Sequence, residues 1–164
     1  MALNPDQFSV HHEEHSPLES TYPGMAQIRR IVVRHPEVTP TQYTLAQTTQ
    51  TEFRAGGKPK KVTTPGAGPN AAGIVDYETR GTDDVYIRYM RSGVQGEGIP
   101  RRAMDALIEH HRPNSINFGK IMNPRMVDVI RSTSERHPNI YMHGHRDYGR
   151  DRGEDGPIAF NKRS

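Results

Sequence analysis

The feature that most restricts the possible folds of this chain is a glycine-rich turn that joins a strand pattern to a helix pattern. Residues Val85–Arg91 are rich in β-branched and aromatic side chains, and the segment Gly93–Gly98 that follows holds three glycines. From Ile99 onward apolar residues recur at helical spacing, with Pro100 at a first-turn position, and Pro113 predicts the end of this helix. A strand, a tight turn and a helix in succession predict a domain in which helices pack against a sheet.

Further strands and a second helix are predicted on both sides of this unit. The strand Ala72–Arg80 forms a hairpin with the strand before the glycine turn, through a turn at Gly81–Asp83. After the first helix, a strand over Ser115–Gly119 precedes a second helix, which Asn123 caps and which ends near His137. This order predicts an α/β (α+β) fold. The remaining predicted strands cover residues 27–34 (a short helical turn is the alternative), 42–54, 61–64, 140–143 and 157–161.

Composition limits how much of the chain can be packed into a core. Only 32% of the 164 residues are hydrophobic, and 13 prolines and 15 glycines favour loops. Residues 1–24 are polar and interrupted by proline, so we expect a disordered N-terminal tail followed by a single domain over residues 25–164. Cysteine is absent, which excludes disulfides and thiolate metal ligands.

The charge and hydropathy patterns limit the expected partners. The formal net charge is +3, a mild excess that suits an anionic ligand and does not specify nucleic acid. No apolar run approaches the length of a membrane span, and residues 1–6 lack the pattern of a signal peptide. A cytoplasmic protein without membrane attachment is therefore expected. The oligomeric state is left open.

Two kinds of charged cluster stand outside the glycine turn. The histidines within residues 11–15 and 143–145 lack a complete set of metal ligands, so we predict no metal site. A basic loop bordered by proline and glycine holds Lys58, Lys60 and Lys61. A solvated surface is the default for this loop, and the alternative is that it binds phosphates of coenzyme A or of a nucleic acid.

The glycine turn carries the clearest chemical signal, which is phosphate binding. Free backbone N–H groups at a helix N-terminus point toward one spot, and the helix dipole favours an anion there. Gly96 and Gly98 let the main chain approach that anion, and Arg101 and Arg102 add positive charge. A P-loop requires Lys and Ser/Thr after its last glycine, and a dinucleotide fingerprint requires a small residue where Arg101 stands, so both patterns fail. A plain turn between strand and helix is the structural alternative.

The turn resembles the signature of the GNAT superfamily of N-acetyltransferases: Gln or Arg, two residues, Gly, one residue, then Gly or Ala. The segment Gln95-Gly96-Glu97-Gly98-Ile99-Pro100 matches it up to the last position, where Pro100 stands. The elements over roughly Ala72–Asn161 also follow the superfamily's order. This resemblance implies a GNAT-like fold, with a central, mostly antiparallel twisted sheet flanked by helices, and acetyl-coenzyme A as the acyl donor.

The resemblance also implies how acetyl-coenzyme A is held. The strand before the turn splays from its neighbour, and backbone groups of Met90 and Ser92 bond the pantetheine arm. Amides from Gln95 to Ile99 hold the pyrophosphate, Arg101 lies beside it, and Asn123 touches the cofactor. The implied binding residues are Met90, Ser92, Gln95, Gly96, Glu97, Gly98, Ile99, Pro100, Arg101 and Asn123.

Catalysis of acetyl transfer to an amine needs a base that takes the ammonium proton. By the resemblance, Asp84 lies about where relatives often carry a Glu, and Tyr86 on the same strand is the second catalytic candidate. Strand alternation predicts that Tyr86 shares a face with Arg88 and Met90. The alternatives are a solvated strand end for Asp84 and a half-buried packing role for Tyr86.

The implied activity is direct acetyl transfer to a small-molecule or peptide amine acceptor, which fits a chain without a cysteine to carry an acyl group. Two departures from the family favour a second hypothesis, a non-catalytic binding module on the same fold that contacts nucleic acid or a protein partner. Only a loop fits between Val33 and Gln42, where the family usually has two helices. Ile130 stands where many relatives carry a tyrosine acid.

Overall fold

Nine strands and two α-helices form the part of the chain that the computed structural model describes, which is residues 3–20, 27–39, 48–53, 55–64, 66–148 and 155–161. The helices are α1 (Ile99–His111) and α2 (Pro124–Arg136). The strands are β1 (Ser9–Glu13), β2 (Ile28–Arg34), β3 (Thr48–Glu52), β4 (Lys60–Thr64), β5 (Ala71–Arg80), β6 (Asp84–Ser92), β7 (Ser115–Ile121), β8 (Tyr141–Arg146) and β9 (Gly156–Ala159).

Seven of these strands form one sheet, in the order β1-β2-β5-β6-β7-β8-β9. Its neighbouring strands are antiparallel except for the pairs β6–β7 and β7–β8, which are parallel. β3 and β4 pair with each other as a separate two-stranded ribbon. The predicted α+β class with a mostly antiparallel sheet is confirmed, and the architecture is consistent with a GNAT-like fold. The predicted strand over residues 42–54 lies partly outside the described residues, with β3 inside it.

Both helices pack on the same face of the large sheet. Each parallel pairing is connected through one helix, and because such crossovers are right-handed and advance in one direction, both helices reach the same side. Neither helix in the described ranges has the combined length and apolar character of a membrane-spanning helix. The main core contains Ile31, Val33, Val75, Tyr77, Val85, Ile87, Ile116, Phe118 and Met142 from the strands and Ile99, Ala103, Met104, Leu107, Val127 and Ile130 from the helices.

The opposite face of the sheet carries a buried ion pair. Asp76 is fully buried between its neighbours and accepts hydrogen bonds from Arg30 Nε at 2.7 Å and from Arg30 Nη2 at 3.0 Å. The Ser16 hydroxyl donates to the same carboxylate at 2.6 Å. Loss of one partner from such a pair typically costs about 3–5 kcal/mol, because the other charge stays buried. This contact fixes the segment after β1 on the ladder of β2 and β5.

The N-terminal segment is part of the fold, which corrects the predicted disordered tail over residues 1–24 for the residues that are described. β1 pairs antiparallel with β2, and Val10 packs against the main core. The buried ring of His35 donates from Nε2 to the Asn4 carbonyl at 3.0 Å and meets Phe8 edge-on at 4.7 Å. The few apolar residues are enough because the free edge of β2 supplies backbone partners, and alternation puts Val10 on the core side.

Three histidines meet where β1 lies against the C-terminal end of α1. The rings of His12 and His110 stack with centroids 4.6 Å apart, and His110 meets His111 edge-on at 4.6 Å. Burial lowers the pKa of His111 to about 4, and the charges of His110, Arg29 and His12 act in the same direction. Burial also lowers the pKa of His12 and raises the pKa of Tyr77 to about 12. The Tyr77 hydroxyl can therefore donate to an uncharged His111 Nε2, 2.6 Å away.

We expect this histidine cluster to make the protein less stable in acid. The pKa of His111 is lower in the folded chain than the value of about 6.5 that applies when unfolded, so the unfolded chain binds more protons as the pH falls. The contribution of His111 to the free energy of unfolding should be constant above about pH 6.5. It should decrease as the pH is lowered from about 6.5 to about 4. Urea unfolding at a series of pH values measures this. His111→Gln should flatten the dependence between about pH 6.5 and 5, whereas His145→Gln, at an exposed site, should keep it. A wild-type slope in His111→Gln would contradict the assignment.

Candidate functional site

The glycine turn lies between the end of β6 and the start of α1. Gly96 and Gly98 have φ angles of 78° and 67°, in the left-handed region that favours glycine. Within the described ranges, no group accepts a hydrogen bond from the backbone N–H groups of residues 94–99. A Cβ added at either glycine would meet nothing within 4 Å, so the space around the turn is open. Free donors at the positive end of the α1 dipole make this turn suited to an anion.

The position of the turn is fixed by close packing between α1 and β5. Ile99, the first residue of α1, is 1% exposed, and its side chain occupies the space where a Cβ on Gly73 would lie. Only glycine at position 73 lets the helix begin this close to the strand. The Gly93 N–H donates to the Ala72 carbonyl at 2.8 Å, which holds the first residue of the turn against the same strand.

Two side chains connect the turn to other segments. Gln95 Oε1 accepts from Arg125 Nη1 at 3.1 Å, and the Arg125 N–H donates to Asn123 Oδ1 at 2.9 Å, which caps α2 as predicted. The exposed residue Arg125 thus contacts both predicted site residues, Gln95 through its side chain and Asn123 through its backbone. Glu97 Oε2 accepts from the Leu3 N–H at 3.2 Å. The sequence analysis does not predict Arg125 as a site residue. It could have been found as a cation in the first turn of a helix, where the helix dipole disfavours positive charge and an anionic ligand would offset it.

The two arginines at the start of α1 have different surroundings. Arg101 is exposed, with its Nε 3.9 Å from Asp105 Oδ2, and such surface pairs contribute little. The Arg102 guanidinium lies over the ring of Phe8, 4.2 Å from its centroid. Arg101 is therefore free to turn toward an anion. Arg102 keeps its charge in the first turn of α1, but its guanidinium is already in contact with Phe8 of the N-terminal segment.

β6 separates from β7 before it reaches the turn. The two strands are paired over only three residue pairs, the last of which joins Tyr86 to Asn117. Among the described residues, no strand pairs with β6 from Ile87 to Ser92 on the side of β7. At about 3.3 Å per residue, this free edge extends for roughly 20 Å. The free edge runs directly into the glycine turn, so unpaired backbone groups form one continuous strip along both.

Two irregularities open this seam. The register of β6 against β5 shifts by one residue between Ile87 and Tyr89, which makes Arg88 the extra residue of a β-bulge. A bulge bends its strand and increases the local twist. In β7, the register against β8 shifts between Asn117 and Lys120. The chain there passes through a glycine with φ 61°, Gly119. Both strands therefore change direction just where their pairing ends.

The bulge also corrects one expectation about side-chain direction. Strand alternation places Tyr86, Arg88 and Met90 on one face, but the extra residue reverses the alternation after Arg88. Met90 packs against the main core together with Val85 and Ile87. Arg88 stays on the face of Tyr86, with its guanidinium 4.8 Å from the ring centroid.

Tyr86 occupies the closed end of the open seam. Arg80 and Arg88 place guanidinium groups 4.3 and 4.8 Å from its ring centroid. Both arginines are held by Glu78, which is 2% exposed and accepts from Arg80 Nε at 2.7 Å and Arg88 Nη2 at 3.1 Å. The Tyr86 hydroxyl lies against Gly119, since a Cβ there would be 2.8 Å from it. Glu78 is a positioning residue that the strand pattern of β5 does not reveal, because every residue before it in this strand is buried as well.

Asp84 lies outside the open seam. It is exposed at the start of β6, where this strand still pairs with β7, and its Oδ1 accepts from the Ser115 hydroxyl at 2.5 Å. Asp84 is eight positions, or roughly 26 Å, from Ser92 at the other end of the strand. Of the two catalytic candidates, only Tyr86 borders the open strip.

Comparisons with known proteins do not place this chain in a family. No family model, no curated protein and no solved structure matches it. Among the described residues, no three His, Asp or Glu side chains come together in an arrangement that could hold a metal ion. The chemistry of the site therefore depends on its own geometry.

We expect Gly119→Ala to destabilise the fold and to displace Tyr86. The left-handed conformation costs a non-glycine residue about 1–3 kcal/mol, and the new Cβ would also collide with the Tyr86 hydroxyl. Gly81→Ala is the matched control, because Gly81 has φ 67° with nothing within 4 Å of its Cβ position. Urea unfolding should show a larger loss for Gly119→Ala, and adding Tyr86→Phe should recover part of it. Equal losses in the two single variants would contradict the close contact.

Proposed function

We propose that this chain is an acyl-coenzyme A-dependent N-acyltransferase that transfers an acetyl group to a small-molecule or peptide amine. The observation that carries the proposal is the continuous strip formed by the free edge of β6 and the unbonded N–H groups of residues 94–99. An extended ligand with amide groups can pair with a strand edge as an added strand does. A pyrophosphate suits the turn at the start of α1.

The proposed binding roles follow the strip from one end to the other. Backbone groups near Met90 and Ser92 bond the pantetheine arm, and the amides of residues 95–99 hold the pyrophosphate. Arg101, in the first turn of α1, and Arg125, which contacts Gln95, are exposed cations that would balance the charge of the pyrophosphate. Asn123 contributes indirectly: it accepts a hydrogen bond from the Arg125 N–H and so caps the helix that positions this arginine. A cytoplasmic location belongs to the same proposal.

Tyr86 is the proposed proton carrier. When bound, acetyl-coenzyme A supplies a thioester carbonyl for attack by the acceptor. An acceptor that arrives as an ammonium ion first loses a proton to water. As the neutral nitrogen then bonds to the carbonyl carbon and the carbon–sulfur bond breaks, sulfur needs a proton and nitrogen must lose one more. The Tyr86 hydroxyl, held at the closed end of the seam by Gly119 and flanked by Arg88, can donate the first and recover the second. Asp84 lies too far along the closed pairing for this task.

Acetyl-coenzyme A is expected to bind the protein and raise its melting temperature. At a ligand concentration about 100 times the dissociation constant, linkage predicts about 2.7 kcal/mol of added stability. Gly98→Asp should abolish the shift, because a carboxylate would occupy the anion site. Gly81→Asp is a closely matched control: both glycines have φ 67° and open space around the Cβ position. Differential scanning fluorimetry measures both variants, and loss of the shift in Gly81→Asp as well would contradict a site at the turn.

Tyr86→Phe is expected to lower turnover about 100- to 10,000-fold while the affinity for acetyl-coenzyme A stays near that of the wild type. The variant keeps the ring between the arginines and removes the proton. Asp84→Asn should retain wild-type turnover. The measurement is coenzyme A release with a panel of amines that includes polyamines, peptides and amino acids. Wild-type turnover in Tyr86→Phe would remove this residue from the mechanism.

A non-catalytic binding module on the same fold is the second candidate function. It is favoured by Ile130, which is fully buried in the main core at the position where the family resemblance expects a tyrosine acid. A wild-type protein that binds acetyl-coenzyme A and releases no coenzyme A with any amine of the panel would support this candidate.

A further inference from the structure

The β3–β4 ribbon stands apart from the large sheet. In the described part of the chain its two strands pair only with each other, from Thr48 opposite Thr64 to Glu52 opposite Lys60. Isolated two-stranded ribbons are marginally stable, because they have no second layer in which to bury side chains. Packing alone does not explain why this ribbon forms, and its side chains indicate a role in binding.

The described tip of the ribbon is basic and carries an exposed aromatic ring. Lys58, Lys60 and Lys61 are all exposed. Phe53 is 80% exposed and, with Met122, is one of two large hydrophobic residues that are exposed in the described ranges. From residue 53 to residue 75 the sequence contains no Asp or Glu. Across the whole ribbon, residues 48–64, the sequence holds one acid, Glu52, which is opposite Lys60, and four basic residues, so the ribbon keeps a net charge of +3.

From this combination we propose that the β3–β4 ribbon is a nucleic-acid-binding arm. The major groove of a duplex admits a two-stranded ribbon. The lysines would neutralise phosphates and release counterions, and Phe53 would stack on a base or wedge between base steps. An anionic membrane fits less well, because basic clusters that bind lipid headgroups typically lie beside a membrane span or on an amphipathic helix, whereas these lysines lie on a strand ribbon and its tip. The partner is identified by its phosphate backbone and bases, and no sequence preference follows.

The test is fluorescence anisotropy of the full chain with a labelled mixed-sequence DNA duplex and the corresponding single strand, over a series of salt concentrations. The triple variant K58A/K60A/K61A should weaken binding strongly and reduce the slope of log K against log salt by about 2–3, since each phosphate that a lysine neutralises adds close to one unit to that slope. Phe53→Ser should weaken binding about 5- to 150-fold, the value of one stacked base, with little change in the salt slope.

A second triple variant, R112G/K120A/R131A, removes the same charge from exposed residues outside the ribbon and should bind nearly as well as the wild type. Glycine replaces Arg112 because this residue has φ 47°. Circular dichroism of all variants should match, since the ribbon is separate from the large sheet. The proposal is overturned if the ribbon variant binds like the wild type, or if the control variant loses as much affinity. It is also overturned if the wild type binds vesicles of phosphatidylserine and phosphatidylcholine through these lysines and binds neither nucleic acid.

Discussion

The backbone pairing between β6 and β7, which stops after three residue pairs, is the constraint on which the site depends. A sheet strand that loses its neighbour must find other partners for its N–H and C=O groups, or leave them to solvent or a ligand. On its other edge β6 pairs with β5, and its apolar side chains pack in the core under the helices. These contacts hold β6 in place, so its free edge persists in the folded chain. The packing of Ile99 against Gly73 then fixes the start of α1 at the end of this edge.

The side of the sheet without helices stabilises the same opening through charge. Arg88, the extra residue of the bulge, is bound by the buried carboxylate of Glu78. Removing one member of a buried, hydrogen-bonded pair typically costs several kcal/mol, so the bulge is anchored by more than backbone geometry. Tyr86 lies between Arg80 and Arg88 and against Gly119, and so its position follows from the two irregularities that open the seam. The shape of the strip and the placement of the Tyr86 hydroxyl at its closed end therefore have a common cause.

Much of the fold could be predicted from the sequence, because strong local patterns specify it. The glycine turn, the Asn123 cap of α2 and the β5–β6 hairpin all depend on residue types at fixed spacing. The bulge at Arg88 could not be predicted, since one extra residue leaves the composition of a strand unchanged and shows only in its register. The order of the N-terminal segment was hidden for another reason: the edge of β2 pairs with β1, and the distant His35 contacts Asn4 and Phe8 just before it, so the few apolar residues of the segment do not act alone.

The most direct test of the proposed site is amide hydrogen exchange over residues 87–99, with and without acetyl-coenzyme A. If the ligand pairs with the free edge of β6 and its pyrophosphate sits at the glycine turn, exchange should slow in the peptides that cover Ile87–Ser92 and Gly93–Ile99. Peptides from β5, which is already paired on both sides, should change little. Binding that protects other segments and leaves residues 87–99 unchanged would contradict the account.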